Sequence, residues 1–301
     1  MPIACRGLTK YYDRAIGVEG LDLSVAAGSV MGFLGPNGAG KTTVIRMLVG
    51  LLLPTSGSAL LWGRPARDAE ARRALGYMPA DPAFYPALTG TENLDLLASI
   101  QGAPSADREW AIDLLGLARS VLGRPVHSYS SGMVQKLALV QAVQHRPSVL
   151  ILDEPANRLD PLAHRSFEEM VRRVAADGRT VLLSSHTLSE VEDVCDKVAL
   201  LRAGRLLAVQ SVGSLSAAAP RWVHAHYRVP PLSLPDALID PVLSGDRLDA
   251  RMPAGAIGAL RELLADEHLV DLTVEPGSLE ETFVHLYRDG ADPDNTAKPS
   301  P

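Results

Sequence analysis

The stretch GPNGAGKTT, residues 35–43, stands between an apolar run at 30–34 and a helix-like segment carrying Val44, Ile45, Met47 and Leu48. It satisfies the phosphate-binding pattern G-x-x-x-x-G-K-[ST]. Gly35, Gly40, Lys41 and Thr42 hold the fixed places, Pro36, Asn37, Gly38 and Ala39 lie between, and Thr43 follows. Its glycines allow backbone conformations closed to most side chains and let N–H groups approach a polyphosphate closely. The helix that follows aims its unsatisfied N–H groups and positive dipole end at the same anion. Lys41 adds a point charge for the β- and γ-phosphates, and the Thr42 hydroxyl can ligate magnesium. A strand–loop–helix unit of an α/β fold that takes a nucleoside triphosphate is what these residues imply.

Two further strand ends supply groups suited to the same ligand. The run Val149, Leu150, Ile151, Leu152 reads as a buried parallel strand ending in Asp153 and Glu154. Chemistry in open α/β sheets sits at the carboxyl ends of strands, which is where this pattern puts both carboxylates. Asp153 is expected to hold magnesium, and Glu154 to orient and deprotonate an attacking water. A third apolar strand, residues 180–185, ends at His186, placed to meet a γ-phosphate or the attacking water.

Read in chain order, these residues resemble the ATP-binding subunit of an ABC-type transporter, and five more segments fit that family. Tyr12, in LTKYYD, matches the aromatic that stacks on adenine. YSSGMVQKLAL, residues 129–139, resembles the LSGGQ signature, with Ser130 and Gly132 on its most characteristic places. ANRLD, residues 156–160, resembles the loop that crosses a dimer interface and ends at Asp160; LGYMPA, residues 75–80, resembles the loop that meets the membrane subunit. Residues 184–206 resemble the histidine switch and the strands after it. The resemblance covers residues 3 to about 212.

It implies an α/β P-loop NTPase fold with an antiparallel β subdomain and a helical subdomain at about 89–140, inside an ATP-binding domain spanning 1–214. The family binds two ATP, with magnesium, in a head-to-tail dimer. Tyr12, Ser130, Gly132 and Asp160 join the phosphate loop as nucleotide contacts on that basis. Self-pairing into a homodimer is expected because both halves of a site are present in one chain. The same resemblance implies an integral membrane permease as a separate partner, a peripheral place on the cytoplasmic face of the membrane, and export of a cargo the sequence does not name.

Beyond residue 214 these motifs stop. The segment AAAP at 217–220 reads as a turn and a boundary. Strands at 221–229, 247–252 and 269–274, with helices at 254–265 and 278–287, outline a small α+β module over 215–288. It resembles the carboxyl-terminal extension of ATPases of the drug- and antibiotic-exporter branch. His224 and His226 share a strand face, as a metal pair or as solvated histidines. Residues 289–301, rich in Pro, Asp and Gly, read as a disordered tail.

Composition bears on partners. A formal net charge of −6 over 301 residues carries no global basic footprint, so no nucleic-acid partner is expected. The two cysteines, Cys5 and Cys195, have neither metal-ligand nor redox spacing and read as free thiols. The amino terminus lacks a signal-peptide core, and no apolar stretch reaches the roughly twenty residues needed to span a bilayer. A transporter built on this chain therefore takes its pore from another chain. Two other readings stay open: a soluble ATPase of the same family acting on ribosomes, DNA or another protein, and a regulatory subunit that binds ATP and scarcely hydrolyses it.

Three positions depart from the family pattern. Ala80 stands where a glutamine normally touches magnesium and water; Asp81 is adjacent, with its side chain expected to point elsewhere. Ser131 and Met133 replace a glycine and the final glutamine of the signature. Arg158 replaces a glycine in the crossing loop. Because alanine can neither ligate nor hydrogen-bond, slow turnover that depends strongly on partner and dimerisation is expected. Steady-state hydrolysis by the isolated subunit tests this: a brisk rate, lost in Glu154→Gln but unaltered in Ala80→Gln, would overturn it.

Overall fold

The computed structural model describes residues 1–13 and 15–275, and the chain divides into two compact units, Met1–Val209 and a second beginning at Gln210. The first holds two sheets. One is antiparallel, in the order β2-β1-β4-β5, from β1 (Ile3–Tyr12), β2 (Ala15–Val25), β4 (Ser56–Leu61) and β5 (Arg64–Pro65). The other comprises β3 (Val30–Leu34), β6 (Leu75–Met78), β7 (Val149–Leu152), β8 (Thr180–Ser185), β9 (Lys197–Arg202) and β10 (Arg205–Ser211), in the order β10-β9-β3-β8-β7-β6. Its strands from β9 across to β6 run parallel.

Every residue of β3, β7 and β8 is buried, as expected for strands covered on both faces. Their register pairs Leu34 with Ser185 and Leu152 with Leu183. The residues that follow, Gly35, Asp153 and His186, therefore leave the sheet on one edge.

The helices of this unit are α1 (Lys41–Leu48), α2 (Ala69–Arg73), α3 (Gly90–Gln101), α4 (Arg108–Leu114), α5 (Arg119–Leu122), α6 (Ser131–Val143), α7 (Pro161–Ala176) and α8 (Ser189–Glu192). The helical pattern read from residue 89 onward appears as α3 to α6. Thr89 and Glu92 close a capping box at the start of α3, and Gly102 ends it at φ 66°. One expectation is corrected: residues 75–78, read as part of a loop, form β6. Leu75, Gly76 and Met78 are buried beside β7, and the chain leaves the sheet only at Pro79.

A buried charge cluster ties four segments of this unit together. Arg179, before β8, donates to Asp107 at 2.7 Å and to Asp177 at 3.1 Å, while the more exposed Arg146 lies 3.6 Å from Asp107 and 3.4 Å from Asp177. Asp107 stands at the head of α4 and Asp177 at the tail of α7, so the cluster joins helices to the parallel sheet.

The second unit contains α9 (Val212–Ala218), β11 (Arg221–Tyr227), β12 (Ile239–Ser244), β13 (Arg247–Met252), α10 (Ile257–Leu264) and β14 (Leu269–Glu275). Its antiparallel sheet has the order β12-β13-β11-β14. Alternate residues Val223, Ala225, Tyr227, Leu248, Ala250 and Met252 face one core, joined by Ala259 and Leu263 of α10. β12 escaped the sequence reading because it is a mostly exposed edge strand interrupted by Pro241, with no alternation to see. The turn expected at 217–220 is in part α9, which Ser211 caps by accepting the Ser214 N–H at 3.0 Å. The expected helix at 278–287 and the tail at 289–301 lie outside the described residues.

His224 and His226 do share a strand face. Each takes a carboxylate, Asp249 at 2.5 Å and Asp246 at 2.9 Å, and no three-residue metal-binding group occurs among the described residues. Both cysteines are free and buried; burial pushes the Cys5 thiol up to about 12 and raises Cys195 as well, so both are unreactive thiols. Among the described residues no helix is long and apolar enough to cross a membrane.

Breaking a buried pair costs more than breaking an exposed one, because the surviving charge stays desolvated. Asp107→Ala is expected to destabilise the protein by about 3 kcal/mol. Arg146→Ala, at the exposed end of the cluster, should cost less than about 1 kcal/mol. Thermal or urea unfolding of the two variants decides the matter, and equal midpoints would remove the cluster from the account of stability.

Candidate functional site

The phosphate loop leaves β3 at Gly35 and enters α1 at Lys41. Gly40 precedes the helix at φ 104°, and a Cβ there would lie 2.6 Å from the Gly17 carbonyl oxygen. At Gly35 a Cβ would lie 2.4 Å from the Leu201 carbonyl oxygen. Both positions thus exclude side chains for steric reasons, and Gly40 for conformational ones too. Lys41 is buried; its Nζ donates to the Gly35 carbonyl at 2.5 Å and stands 3.2 Å from Glu154 Oε1.

Around this loop opens a cleft of about 520 Å³ lined by Tyr12, Pro36, Asn37, Gly38, Ala39, Gly40, Lys41, Thr42, Thr43, Ala80, Glu154, Asn157 and His186. Its size falls within the roughly 300–1,000 Å³ of small-molecule sites. Residues from five separate parts of the chain meet here, three of them at strand ends that share one sheet edge. Tyr12 comes from the antiparallel sheet. Its half-exposed ring abuts Gly17, where a Cβ would lie 2.7 Å from Cε2, and Lys10 Nζ lies 5.6 Å from its centroid.

Asp153 and Glu154 occupy different environments. Asp153 is wholly buried: Oδ1 accepts the Ser184 hydroxyl at 2.6 Å, and Oδ2 has no hydrogen-bond partner. Burial raises its pKa, helped by the neighbouring Glu154 charge and opposed by the Ser184 and Thr42 hydroxyls and the Lys41 ammonium. An orphaned buried carboxylate oxygen with the Thr42 hydroxyl nearby suits a hard divalent cation, which prefers oxygen ligands. The donor set therefore fits magnesium.

Glu154 reaches into the cleft from a backbone at φ 50°, a costly conformation for a non-glycine residue and one that clusters at functional sites. Its carboxylate bridges two nitrogen groups: Oε2 lies 2.7 Å from His186 Nδ1, and Oε1 faces the Lys41 ammonium. Asn157 Nδ2 donates weakly to Oε2 at 3.4 Å.

Three expected contacts do not line this cleft. Ser130 caps α6, its Oγ accepting the Met133 N–H at 3.3 Å; Gly132 lies in the first turn, where a Cβ would come 3.1 Å from the Arg158 carbonyl. Asp160 caps α7 by accepting the Leu162 and Ala163 N–H groups at 3.0 and 2.9 Å. Those bonds to the Ala163 and Leu162 amides, Ala163 foremost, hold its pKa low. Ala80 lines the cleft, whereas the Asp81 carboxylate turns to Arg158, 3.2 Å away. Arg158 itself sits at φ 70°, in the region that favours the glycine it replaces.

Two supporting residues were not singled out from sequence. Ser184 binds both carboxylate positions, accepting the Glu154 N–H at 2.9 Å as it donates to Asp153. Gln135, fully buried in α6, donates to the Pro155 carbonyl at 2.9 Å and to the Glu154 carbonyl at 3.4 Å. The signal for either was weak: Ser184 ends an apolar strand beside Ser185, and Gln135 stands between Val134 and Lys136.

Comparison with known proteins agrees with this geometry. The ABC transporter family pattern matches residues 18–157. An uncharacterised ABC transporter ATP-binding protein of a Nostoc strain is 37% identical over 207 residues, 67% of this chain and 62% of its own. The human phospholipid-transporting ATPase ABCA7 is 34% identical over 323 aligned positions, covering 97% of this chain and 15% of the relative. The chain thus spans under two thirds of the former and a small part of the latter. A solved ATP-binding subunit of an ABC transporter superposes with a TM-score of 0.67 at 31% identity, over 71% of this chain and 92% of the other. The loop, the paired carboxylates and these likenesses together establish that the chain belongs to the ABC transporter ATP-binding family, a family of ATPases.

Proposed function

We propose that this protein binds ATP in its cleft, closes around two ATP as a homodimer, and couples hydrolysis to export through a separate membrane permease. The observation that carries the reading is the carboxylate of Glu154 held between Lys41 and His186 at the mouth of the phosphate loop. Tyr12 offers its ring to the base, and the backbone N–H groups of residues 36–43 and the start of α1 meet the phosphates. When phosphates enter, Lys41 exchanges its pairing with Glu154 for theirs, which leaves that carboxylate available as a general base. His186, on the far side of Glu154, orients it and meets the γ-phosphate. Thr42 and Asp153 would hold magnesium, which neutralises charge on the phosphate oxygens.

The off-cleft positions of Ser130 and Gly132 support a site completed by a second copy. At the start of α6 they present a hydroxyl, N–H groups and a positive dipole end outward, suited to a phosphate held by a partner. Asp160 ends the crossing loop and takes part on the same basis. For the permease, the support is an apolar groove of about 310 Å³ lined by residues including Tyr77, Pro79, Phe84, Leu97 and Ile100, next to the Ala80 loop. Ile100 is 71% exposed there, a large apolar side chain suited to a covering partner. On this reading the protein sits peripherally on the cytoplasmic face of the membrane. The likeness to ABCA7 runs through both units and supports the exporter branch; phospholipid is a cargo to test first.

Substitutions separate the roles. Lys41→Ala should weaken ATP binding measured by a fluorescent analogue. Glu154→Gln should retain binding, lower kcat by about 10²–10⁴-fold, and accumulate an ATP-bound dimer on size-exclusion chromatography. Ser130→Arg should bind ATP as a monomer and fail to dimerise; a dimer formed by that variant would refute the role given to Ser130. Gentle solubilisation of membranes containing tagged Glu154→Gln, with ATP and magnesium, should co-purify a polytopic membrane protein at comparable abundance. Recovery with ribosomal or nucleic-acid components alone would replace the transporter reading.

A further inference from the structure

Between the two carboxylate positions lies one hydroxyl to which the motifs assign no role. Ser184, near the carboxyl end of β8, is fully buried. A serine hydroxyl has one proton and two lone pairs. Here the proton goes to Asp153 Oδ1 at 2.6 Å, and a lone pair takes the Glu154 backbone N–H at 2.9 Å. The direction of both bonds is thereby set, since a backbone N–H can only donate. With Oδ1 engaged, Oδ2 of Asp153 is the oxygen left buried without a partner. The second bond falls on the backbone of a residue held at φ 50°. That residue's side chain is met by His186, two residues beyond Ser184, at 2.7 Å. One strand end thus grips Glu154 twice, by its backbone and by its carboxylate.

We propose that Ser184 is a positioning residue for hydrolysis. Its hydroxyl orients Asp153 so that Oδ2 is the oxygen offered to magnesium, and it pins the strained backbone from which Glu154 enters the cleft. The inference rests on the reading of Asp153 as a metal ligand and Glu154 as the general base. Ser184 itself touches no reacting atom. An apolar residue of similar size would leave the Glu154 N–H buried without an acceptor and free the Asp153 carboxylate to rotate. The phosphate loop, in contrast, makes no bond to Ser184, so binding of the nucleotide alone is independent of it.

The test compares Ser184→Ala, Ser184→Cys and Ser184→Thr in the full-length chain. Three readouts are needed: affinity for a fluorescent ATP analogue in the presence of EDTA, Mn²⁺ affinity of the ATP-bound protein by electron paramagnetic resonance, and kcat separated from KM. In Ser184→Ala, nucleotide affinity without metal and KM for ATP should stay unchanged, while Mn²⁺ affinity and kcat fall by about tenfold or more. Ser184→Thr, which keeps the hydroxyl, should restore both. Ser184→Cys, with a weak donor, should fall between, and it carries the test if the alanine variant does not fold. Wild-type Mn²⁺ affinity and kcat in Ser184→Ala or Ser184→Cys, alongside an inactive Glu154→Gln, would overturn the role of Ser184 and leave the site reading standing. A Glu154→Gln variant that hydrolyses ATP at the wild-type rate would instead overturn the site reading on which the inference rests.

Discussion

The parallel register of β3, β8 and β7 is the constraint on which the rest of this protein depends. Pairing Leu34 with Ser185 and Leu152 with Leu183 sends three segments of the chain out of the sheet on one edge. From those exits come the phosphate loop, the two carboxylates and His186. A shift of one residue in any of the three would turn its side chains to the opposite face and separate the groups. Burial enforces the register, because each of these strands is covered along its whole length and none can slide without exposing apolar surface or stranding backbone polar groups.

The candidate site stores conformational cost at the residue proposed as its general base. Glu154 at φ 50° would relax if free, and it is held by bonds from several directions: Ser184 on its N–H, Gln135 on its carbonyl and that of Pro155, and Lys41 and His186 on its carboxylate. Two of these attachments come from β8 and its end, and another from α6. Because α6 also carries Ser130 at its head, the element proposed to meet a partner's nucleotide is bonded to the backbone of the residue proposed to act on this chain's own. Gln135 is thus the physical connection between these two proposed contacts.

The departures from the family pattern also form a spatial set. Ala80 faces the cleft with nothing to offer a metal or water, and Asp81 beside it turns away to Arg158. Arg158 adopts a backbone conformation natural to glycine and pairs at a half-exposed surface, where an ion pair adds little stability. The pair joins the loop after β6 to the loop before α7, so two loops that each lend a residue to the cleft are linked to each other by side chains outside it.

Much of this was legible in one dimension. The glycine spacing of the phosphate loop, the apolar run ending in Asp153 and Glu154, and the strand ending in His186 all follow from local rules: glycine where the backbone must turn sharply, continuous apolar residues where a strand is covered on both faces. What local pattern could not supply was anything decided by contacts between distant segments. β6 looked like loop because four residues carry too little period, and only pairing with β7 makes them a strand. β12, exposed and broken by Pro241, has no pattern at all and exists through its bonds to β13. Ser184 and Gln135 read as ordinary polar residues, and their importance lies in partners 30 and about 20 positions away. The expected class of ligand, a nucleoside triphosphate, was thus legible in sequence, since that expectation depends on residue types at fixed spacing. The orientation of Asp153, the strain on Glu154 and the off-cleft places of Ser130 and Asp160 were decided only by tertiary structure, because each results from hydrogen bonds and packing that the folded chain alone brings together.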